Sequence, residues 1–420
     1  MQALPITRAS QQTVAKKEFM QDIYIPYGAY WSTPFARWQG SLAHLHSLQF
    51  AAHVAKNALA KRAIDPAVFD HGVLGMTVPQ QSAFYGLPWL MALVGNTSVT
   101  GPTINQACAT GVRTLQSCAA ELREGSATVS LAIGADRTSN GPHIYYPAPD
   151  ATGGTGLHEN WVLDNFGHDP FARVAMIETA ENVARKFGFS TAQQNELTLR
   201  RYAQYADATA NDSAFLRRFM DLPFDVPDAN FRRTRSRLEG DEGVFATTAE
   251  GLAKLRPVIE NGTVTYGSQT HPADGSAAIV LTTADKLPEL TSQHQIGIRV
   301  VAFGQARVAA AQMPEAPVPA AQRALQSAGL AMSQMAVLKT HNPFVLNDLC
   351  LARAFDIDAN RFNNYGSSLV WGHPQGPTGL RGVIEMIEEL VMKGGGYGLF
   401  VGCAAGDSAM AVILEVKDRT

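Results

Sequence analysis

Cysteine is scarce in this chain: four residues among 420, at positions 108, 118, 350 and 403, with no C-x-x-C spacing. That argues against a disulfide framework and gives no zinc signature; reduced thiols fit better. Charge is scarce as well. Charged residues make up 17% and the formal net charge is −3, so no bulk field draws in nucleic acid or an anionic membrane. No apolar run approaches the ~20 residues of a membrane span. The opening MQALPITRASQQTVAKKEF has no apolar signal core and the closing VKDRT no sorting tripeptide, which leaves a cytoplasmic location by default.

What is present is a 46% hydrophobic, globular composition, long enough for two or three folded units. Leu45, Leu48, Ala52, Ala55 and Leu59 recur at helical spacing before Asp65-Pro66. Gly72 to Met76 and Thr128 to Gly134 read as buried strands, with a helical run between Cys108 and about Arg123. Such alternation predicts α/β layering. The stretch 138–262 breaks the pattern. It is loop-rich to about Asp169, then carries two helical segments, the second announced by Ser190 and Gln193 as a capping box. Buried-strand character returns in GTVTYG, AAIVLTT and IGIRVVAFG. The sequence also echoes itself. Ala109-Thr110-Gly111-Val112-Arg113 opens a helix leading to a strand that ends at Asp136. Pro377-Thr378-Gly379-Leu380-Arg381 does the same before Asp407. Two related halves follow from the matching order.

Several residues can carry chemistry. Cys108 sits just before a helix, where unpaired N–H groups stabilise a thiolate and lower its pKa; a buried structural cysteine fits the same position. His373, between Gly372 and Pro374, is held in a turn and suits proton abstraction from a thiol, or is a turn residue with a satisfied hydrogen bond. Cys403 ends an apolar strand, a usual place for reactive groups in α/β proteins, and reads equally as core. His341-Asn342 follows an apolar segment, placed to serve an oxyanion or to cap a helix. Arg232, Arg233, Arg235 and Arg237 form either a solvated charge run or a phosphate clamp. Met176 and Met313 read as core, and His44 and His46, two apart on a helix, do not face one another as metal ligands would.

Together and in this order, these stretches resemble the thiolase family. Asn105-Gln106-Ala107-Cys108-Ala109-Thr110-Gly111 is similar to the family's nucleophile turn, Thr179 to Ala184 to its loop-domain helix, Gly262 to Gly267 with Asp274-Gly275 to its return strand, and Gly372-His373-Pro374 through Gly379 to its histidine turn. Cys403 sits where the family has its second cysteine. The resemblance implies an α/β thiolase fold: two similar βαβαβαββ halves in a five-layer αβαβα arrangement with an inserted loop domain. Residues 1–137, rejoined by 263–286, form the first half, 138–262 the loop domain covering CoA, and 287–420 the second half. It implies a homodimer or homotetramer, with acyl-CoA, acetyl-CoA and CoA as substrates and no further cofactor or metal.

The implied chemistry is reversible Claisen condensation and thiolytic cleavage. His373 takes the proton of Cys108, the thiolate attacks an acyl-CoA, and Cys403 moves a proton on the second substrate. His341 or Asn342 fills the family's asparagine position, and the N–H groups of Cys108 and Ala405 form an oxyanion hole. Thr270 stands where a serine contacts pantetheine, Met176 and Met313 beside the reactive cysteine, and Arg232 or Arg233 reaches the adenine-ribose phosphate. Ala175, Ala405 and the Thr270-His271 pair depart from the family pattern. A decarboxylating ketoacyl-synthase-like enzyme using Cys108, His341 and His373 is one alternative, and an impaired thiolase-like binding subunit is another.

Overall fold

The computed structural model describes residues 21–418. The stretch read for a signal core, 1–19, and the final Arg419-Thr420 lie outside the described residues. Each half is a mixed sheet with the same wiring. In the first, β1 (Tyr30–Ser32), α1 (Ser47–Lys61), β2 (His71–Gly75), α2 (Thr110–Glu124) and β3 (Val129–Arg137) are completed, after a long excursion, by β4 (Ala273–Thr283). In the second, β5 (Ile296–Arg307), α5 (Pro317–Ala328), β6 (Met335–His341), α6 (Gln375–Met392), β7 (Gly395–Ala404) and β8 (Ser408–Asp418) follow in the same order. The excursion carries α3 (Met176–Phe187) and α4 (Thr191–Ser213).

Pairing repeats with the order. β1 runs antiparallel to β4, β4 antiparallel to β3, and β3 parallel to β2. Correspondingly, β5 is antiparallel to β8, β8 antiparallel to β7, and β7 parallel to β6. A short strand, Ile23–Tyr24, bonds to both β4 and β5 and joins the two sheets edge to edge.

Side-chain alternation along the strands separates three apolar interiors. Leu131 and Ile133 of β3 pack outward with Leu48, Ala52 and Leu59 of α1, whereas Ala132 faces the centre. In β8, Ala411 and Ile413 pack outward with Ala320, Ala324 and Leu325 of α5, and Val412 and Leu414 face the centre. Between the sheets lie α2 and α6, through Val112, Leu115, Leu122, Leu380, Val383 and Ile387. The result is five layers, αβαβα. Every residue of α6 from Gln375 to Leu390 is buried; each buried Leu or Ile there stabilises by roughly 1.5–3 kcal/mol. The two central helices approach most closely at their first turns. A Cβ on Gly111 would lie 2.7 Å from the Gly376 carbonyl and 2.8 Å from the Leu380 nitrogen, and one on Gly379 3.2 Å from the Val112 nitrogen. The echoed glycines are where one half's helix meets the other's.

The region up to Asp169 is loop-rich as read and carries one antiparallel hairpin, His143–Tyr146 with Leu157–Asn160. One local expectation fails: GTVTYG is not a strand. The Glu181 carboxylate on α3 accepts the N–H groups of Thr263 and Val264, both at 2.7 Å, and so takes donors a ladder would need. The capping box at Ser190 and Gln193 is present. Among the described residues no helix is long and apolar enough to cross a membrane.

Candidate active site

The site forms where α2 and α6 begin. Before α2, Ala107 is held at φ 44°, a left-handed conformation that costs a non-glycine residue of order 1 kcal/mol or more. The turn is pinned by its own polar groups. The Thr110 hydroxyl donates to the Ala107 carbonyl (2.7 Å) and accepts the Gln106 N–H (2.8 Å), while Asn105 accepts the Ala107 N–H (2.8 Å). Cys108 stands at the crest, half-buried. The backbone N–H groups of Ala405 and of Cys108 itself lie near enough to favour its thiolate. Ala405 follows β7, so the second half supplies a donor to the first half's thiol.

Before α6, Gly372 adopts φ 92°, and a Cβ there would lie 2.7 Å from His271 Nε2; only glycine fits. The next residue, His373, donates its N–H to the His271 carbonyl at 2.9 Å. Asp136 reaches across from the end of β3 and accepts the Gly376 N–H at 2.6 Å, together with those of Thr77 and Val78. The echoed Asp407 likewise accepts the N–H groups of Ala311 and Gln312, just ahead of Met313. The repeated aspartates are turn clamps that fix the walls of the site.

Cys108 Sγ and one ring nitrogen each of His341 and His373 lie within 4.8 Å of one another. Both Nε2 atoms are buried without a hydrogen-bond partner, and the Nδ1 atoms are held from behind. The Thr378 hydroxyl gives its hydrogen to the Pro374 carbonyl (2.7 Å), so toward His373 Nδ1, also at 2.7 Å, it can only accept. That assigns the proton to Nδ1 and a lone pair to Nε2. For His341 the network runs the other way. Ser368 accepts the Asn342 N–H at 3.1 Å and has two acceptors for its own hydrogen, His341 Nδ1 at 2.7 Å and Asn342 Oδ1 at 3.2 Å, of which the nearer is the stronger. Ser368 therefore donates to His341, leaving the proton on Nε2.

Charge at the site follows burial. Desolvation pushes the Cys108 thiol up to about 12, against the lowering effect of its two N–H donors. Burial, helped by His271, brings His373 down to about 3, and burial with His373 nearby drives His341 well below its usual range. The expected lowering of the thiol pKa by the helix N-terminus is thus overridden: the resting pair is a neutral thiol and a neutral imidazole.

Cys108 and His373 open onto a cavity of about 800 Å³, lined also by Ala405, Ala175, Met176, Met313 and Thr270 among others; His341 stands behind them, outside its lining. Thr270 reaches the cavity with its hydroxyl committed to the Ser368 carbonyl at 2.5 Å. Five of the expected site residues, His341, Asn342, Arg232, Arg233 and Cys403, lie outside that lining. Asn342 is fully buried; it donates to Asp348 and to the Ser368 hydroxyl and accepts the Leu369 N–H, so of the two adjacent candidates only His341 faces the thiol. Arg232 and Arg233 line a separate 380 Å³ cavity with Trp31 and His53, because the Asp228 turn directs them there. The cation beside the main cavity is Arg37, which nothing in its sequence context marks. Cys403 is fully buried next to Asn347, close enough to Cys108 for its charge to be felt, yet outside the cavity lining. Ser368 was missed, since no motif announces it, and His271 was noted only as half of the Thr270-His271 departure, not as a group beside His373.

Paired α/β halves with a thiol at the meeting of their central helices define an acyltransferase class. The comparisons sharpen this. Residues 29–285 match the family model "Thiolase, N-terminal domain" and residues 294–416 "Thiolase, C-terminal domain"; the chain belongs to the thiolase family. It is 29% identical to the β-ketothiolase BktB of Cupriavidus necator, over 91% of this chain and 96% of that protein. It is 28% identical to the mitochondrial 3-ketoacyl-CoA thiolase of Homo sapiens, over 91% and 96%. The crystal structure of human mitochondrial 3-ketoacyl-CoA thiolase in complex with CoA superposes with a TM-score of 0.85 at 26% identity, covering 94% of this chain and 98% of that one.

Proposed function

We propose that this chain is a thiolase that interconverts 3-ketoacyl-CoA plus CoA with acyl-CoA plus acetyl-CoA through an acyl-enzyme on Cys108. The observation that carries the reading is the opposed pair of imidazoles at the thiol: a lone pair on His373 Nε2 and a proton on His341 Nε2, with Cys108 Sγ within 4.8 Å of both rings' nitrogens. His373 removes the thiol proton as sulfur attacks the thioester carbonyl, so thiolate forms only as the carbon–sulfur bond does. The departing CoA thiolate takes that proton back. The N–H groups of Cys108 and Ala405 and the His341 Nε2–H are the donors available to oxyanions; losing one such donor commonly costs ~3 kcal/mol in the barrier. In condensation, Cys403 first passes its proton to His373 and as thiolate takes one from the acetyl-CoA methyl; the carbanion attacks the acyl carbon, and Cys108 leaves as thiolate and recovers the proton from His373. Cleavage is the reverse.

CoA thioesters enter through the cavity that Met176, Met313 and Thr270 line. The protein is proposed to work as a homodimer or homotetramer.

One observation favours a second reading. Cys108, His341 and His373 lie together at the thiol, and such a Cys–His–His set also suits decarboxylative condensation, in which CO₂ loss supplies the carbanion and no second cysteine is needed. Assaying thiolysis of 3-ketoacyl-CoA by free CoA, and condensation with acetyl-CoA against malonyl-CoA, separates the two. Thiolysis that disappears in Cys108→Ala and Cys403→Ala supports the thiolase reading. Turnover with malonyl-CoA alone overturns it.

A further inference from the structure

We infer that Cys108, His341 and His373 form a binding site for a soft divalent cation of the zinc class, and that occupancy shuts the enzyme off reversibly. Its inhibitory consequence rests on the reading of Cys108 as nucleophile; the binding itself does not.

The three donor atoms are one sulfur and two imidazole nitrogens, mutually within 4.8 Å. In a tetrahedral zinc site with bonds of ~2.0–2.3 Å, neighbouring donors stand roughly 3.3–3.8 Å apart. The atoms need to close by about 1 Å, which side-chain rotation of Cys108 and small ring shifts supply. The donor set is the right one: thiolate and imidazole select zinc over magnesium or calcium. The imidazoles are also prepared as ligands usually are. Each is at least nine-tenths buried, each has Nδ1 engaged by a hydroxyl, and each presents an Nε2 with no partner. Two of the three ligands, Cys108 and His373, line the main cavity, the route by which a cation would reach the site.

The proton balance is explicit. Cys108 releases its proton to solvent as sulfur coordinates. His341 exchanges an Nε2 proton for one on Nδ1, and the Ser368 hydroxyl turns to Asn342 Oδ1, 3.2 Å away. One proton leaves per metal bound. No redox change occurs. The bound cation occupies the sulfur lone pair that would attack the thioester and the nitrogen that would receive the proton, so it inhibits rather than assists.

The sequence could not announce such a site, since Cys108 lies 233 positions before His341, and His373 a further 32 positions on. An exposed pair, His143 and His158, with ring nitrogens 3.0 Å apart, is the competing location, so the test uses a His143→Ala background, remote from the thiol. Purified full-length protein is titrated with Zn²⁺ by calorimetry, with proton release measured in buffers of different ionisation enthalpy, and with Co²⁺ by absorption. The expected result is one metal and about one proton per chain, a thiolate-to-cobalt charge-transfer band absent from Cys108→Ser, and affinity weakened by at least about tenfold in His341→Ala. Thiolysis should be lost with Zn²⁺ and restored by a chelator. Unchanged affinity in both variants, or no stoichiometric binding, overturns the site. If metal binds as described but the metal-free protein has no thiolase activity, the proposed function falls and the site stands.

Discussion

His341 and His373 lie with ring centroids 4.0 Å apart and planes tilted by 30°, and they present opposite faces of imidazole chemistry to the same sulfur. The difference comes from behind the rings. Thr378 spends its hydrogen on the Pro374 carbonyl and must accept from His373, whereas Ser368 donates to His341. Two chemically identical side chains, both neutral because they are buried, become a proton acceptor and a proton donor. A charged pair side by side in this pocket would pay both desolvation and repulsion.

The neutral resting state makes a pH prediction. With the thiol pushed up to about 12 and His373 down to about 3, the free protein holds Cys108 as thiol throughout the neutral range. Thiolate then grows about tenfold per pH unit below that pKa. Iodoacetamide inactivation in the absence of substrate should therefore rise with a logarithmic slope near one from about pH 7 to about pH 9. A rate flat across that range would mean a preformed thiolate–imidazolium pair and would refute the neutral assignment.

Much of this arrangement was legible before any coordinates. The echo of Gly111 and Asp136 in Gly379 and Asp407 disclosed the two halves, and its physical cause is plain: glycines where two helices touch, aspartates that clamp turns. Cys108 and His373 stood in small-residue turns before helices and were readable for that reason. What was not legible depends on side-chain direction. Adjacent His341 and Asn342 have equal claims in sequence, but one ends β6 facing the thiol and the other is drawn into the Asp348 and Ser368 hydrogen bonds. Arg232 and Arg233 looked like a phosphate clamp because density of charge is visible and the direction of a turn is not. The thiol's raised pKa was hidden too, since a helix N-terminus is written in sequence and burial is not.

Ser368 is a positioning residue, and its loss should be specific. Ser368→Ala removes the donor to His341 Nδ1 and frees the ring to populate the other tautomer. The expected outcome is a fall in kcat of roughly 10- to 100-fold, with KM little changed. Ring ¹⁵N shifts of His341 should move from the Nε2–H pattern toward a mixture, while those of His373, held by Thr378, stay in place. A kcat loss with unchanged ¹⁵N shifts would leave the tautomer argument without support.

The segment that carries Asp241 over the site is anchored by a buried cluster of four charges. Arg381 binds Asp241 through two nitrogens, at 2.5 and 2.7 Å, and Glu385 at 3.0 Å, while Lys339 meets Glu385 at 3.2 Å. Two positive and two negative charges balance. Arg381 lies over both Phe35 and Trp371, 4.8 and 4.4 Å from the ring centroids, so the pair is packed as well as paired. Asp241→Asn leaves one uncompensated positive charge in the interior, and removing one partner of a buried pair costs roughly 3–5 kcal/mol. Adding Arg381→Met restores neutrality, with Lys339 and Glu385 still matched. The double variant should therefore be less destabilised than the sum of the two single ones by at least about 1 kcal/mol, measured by reversible denaturant unfolding. Strict additivity would show that Asp241 acts through its bonds to Tyr205 and the Phe35 N–H rather than through the charge of Arg381.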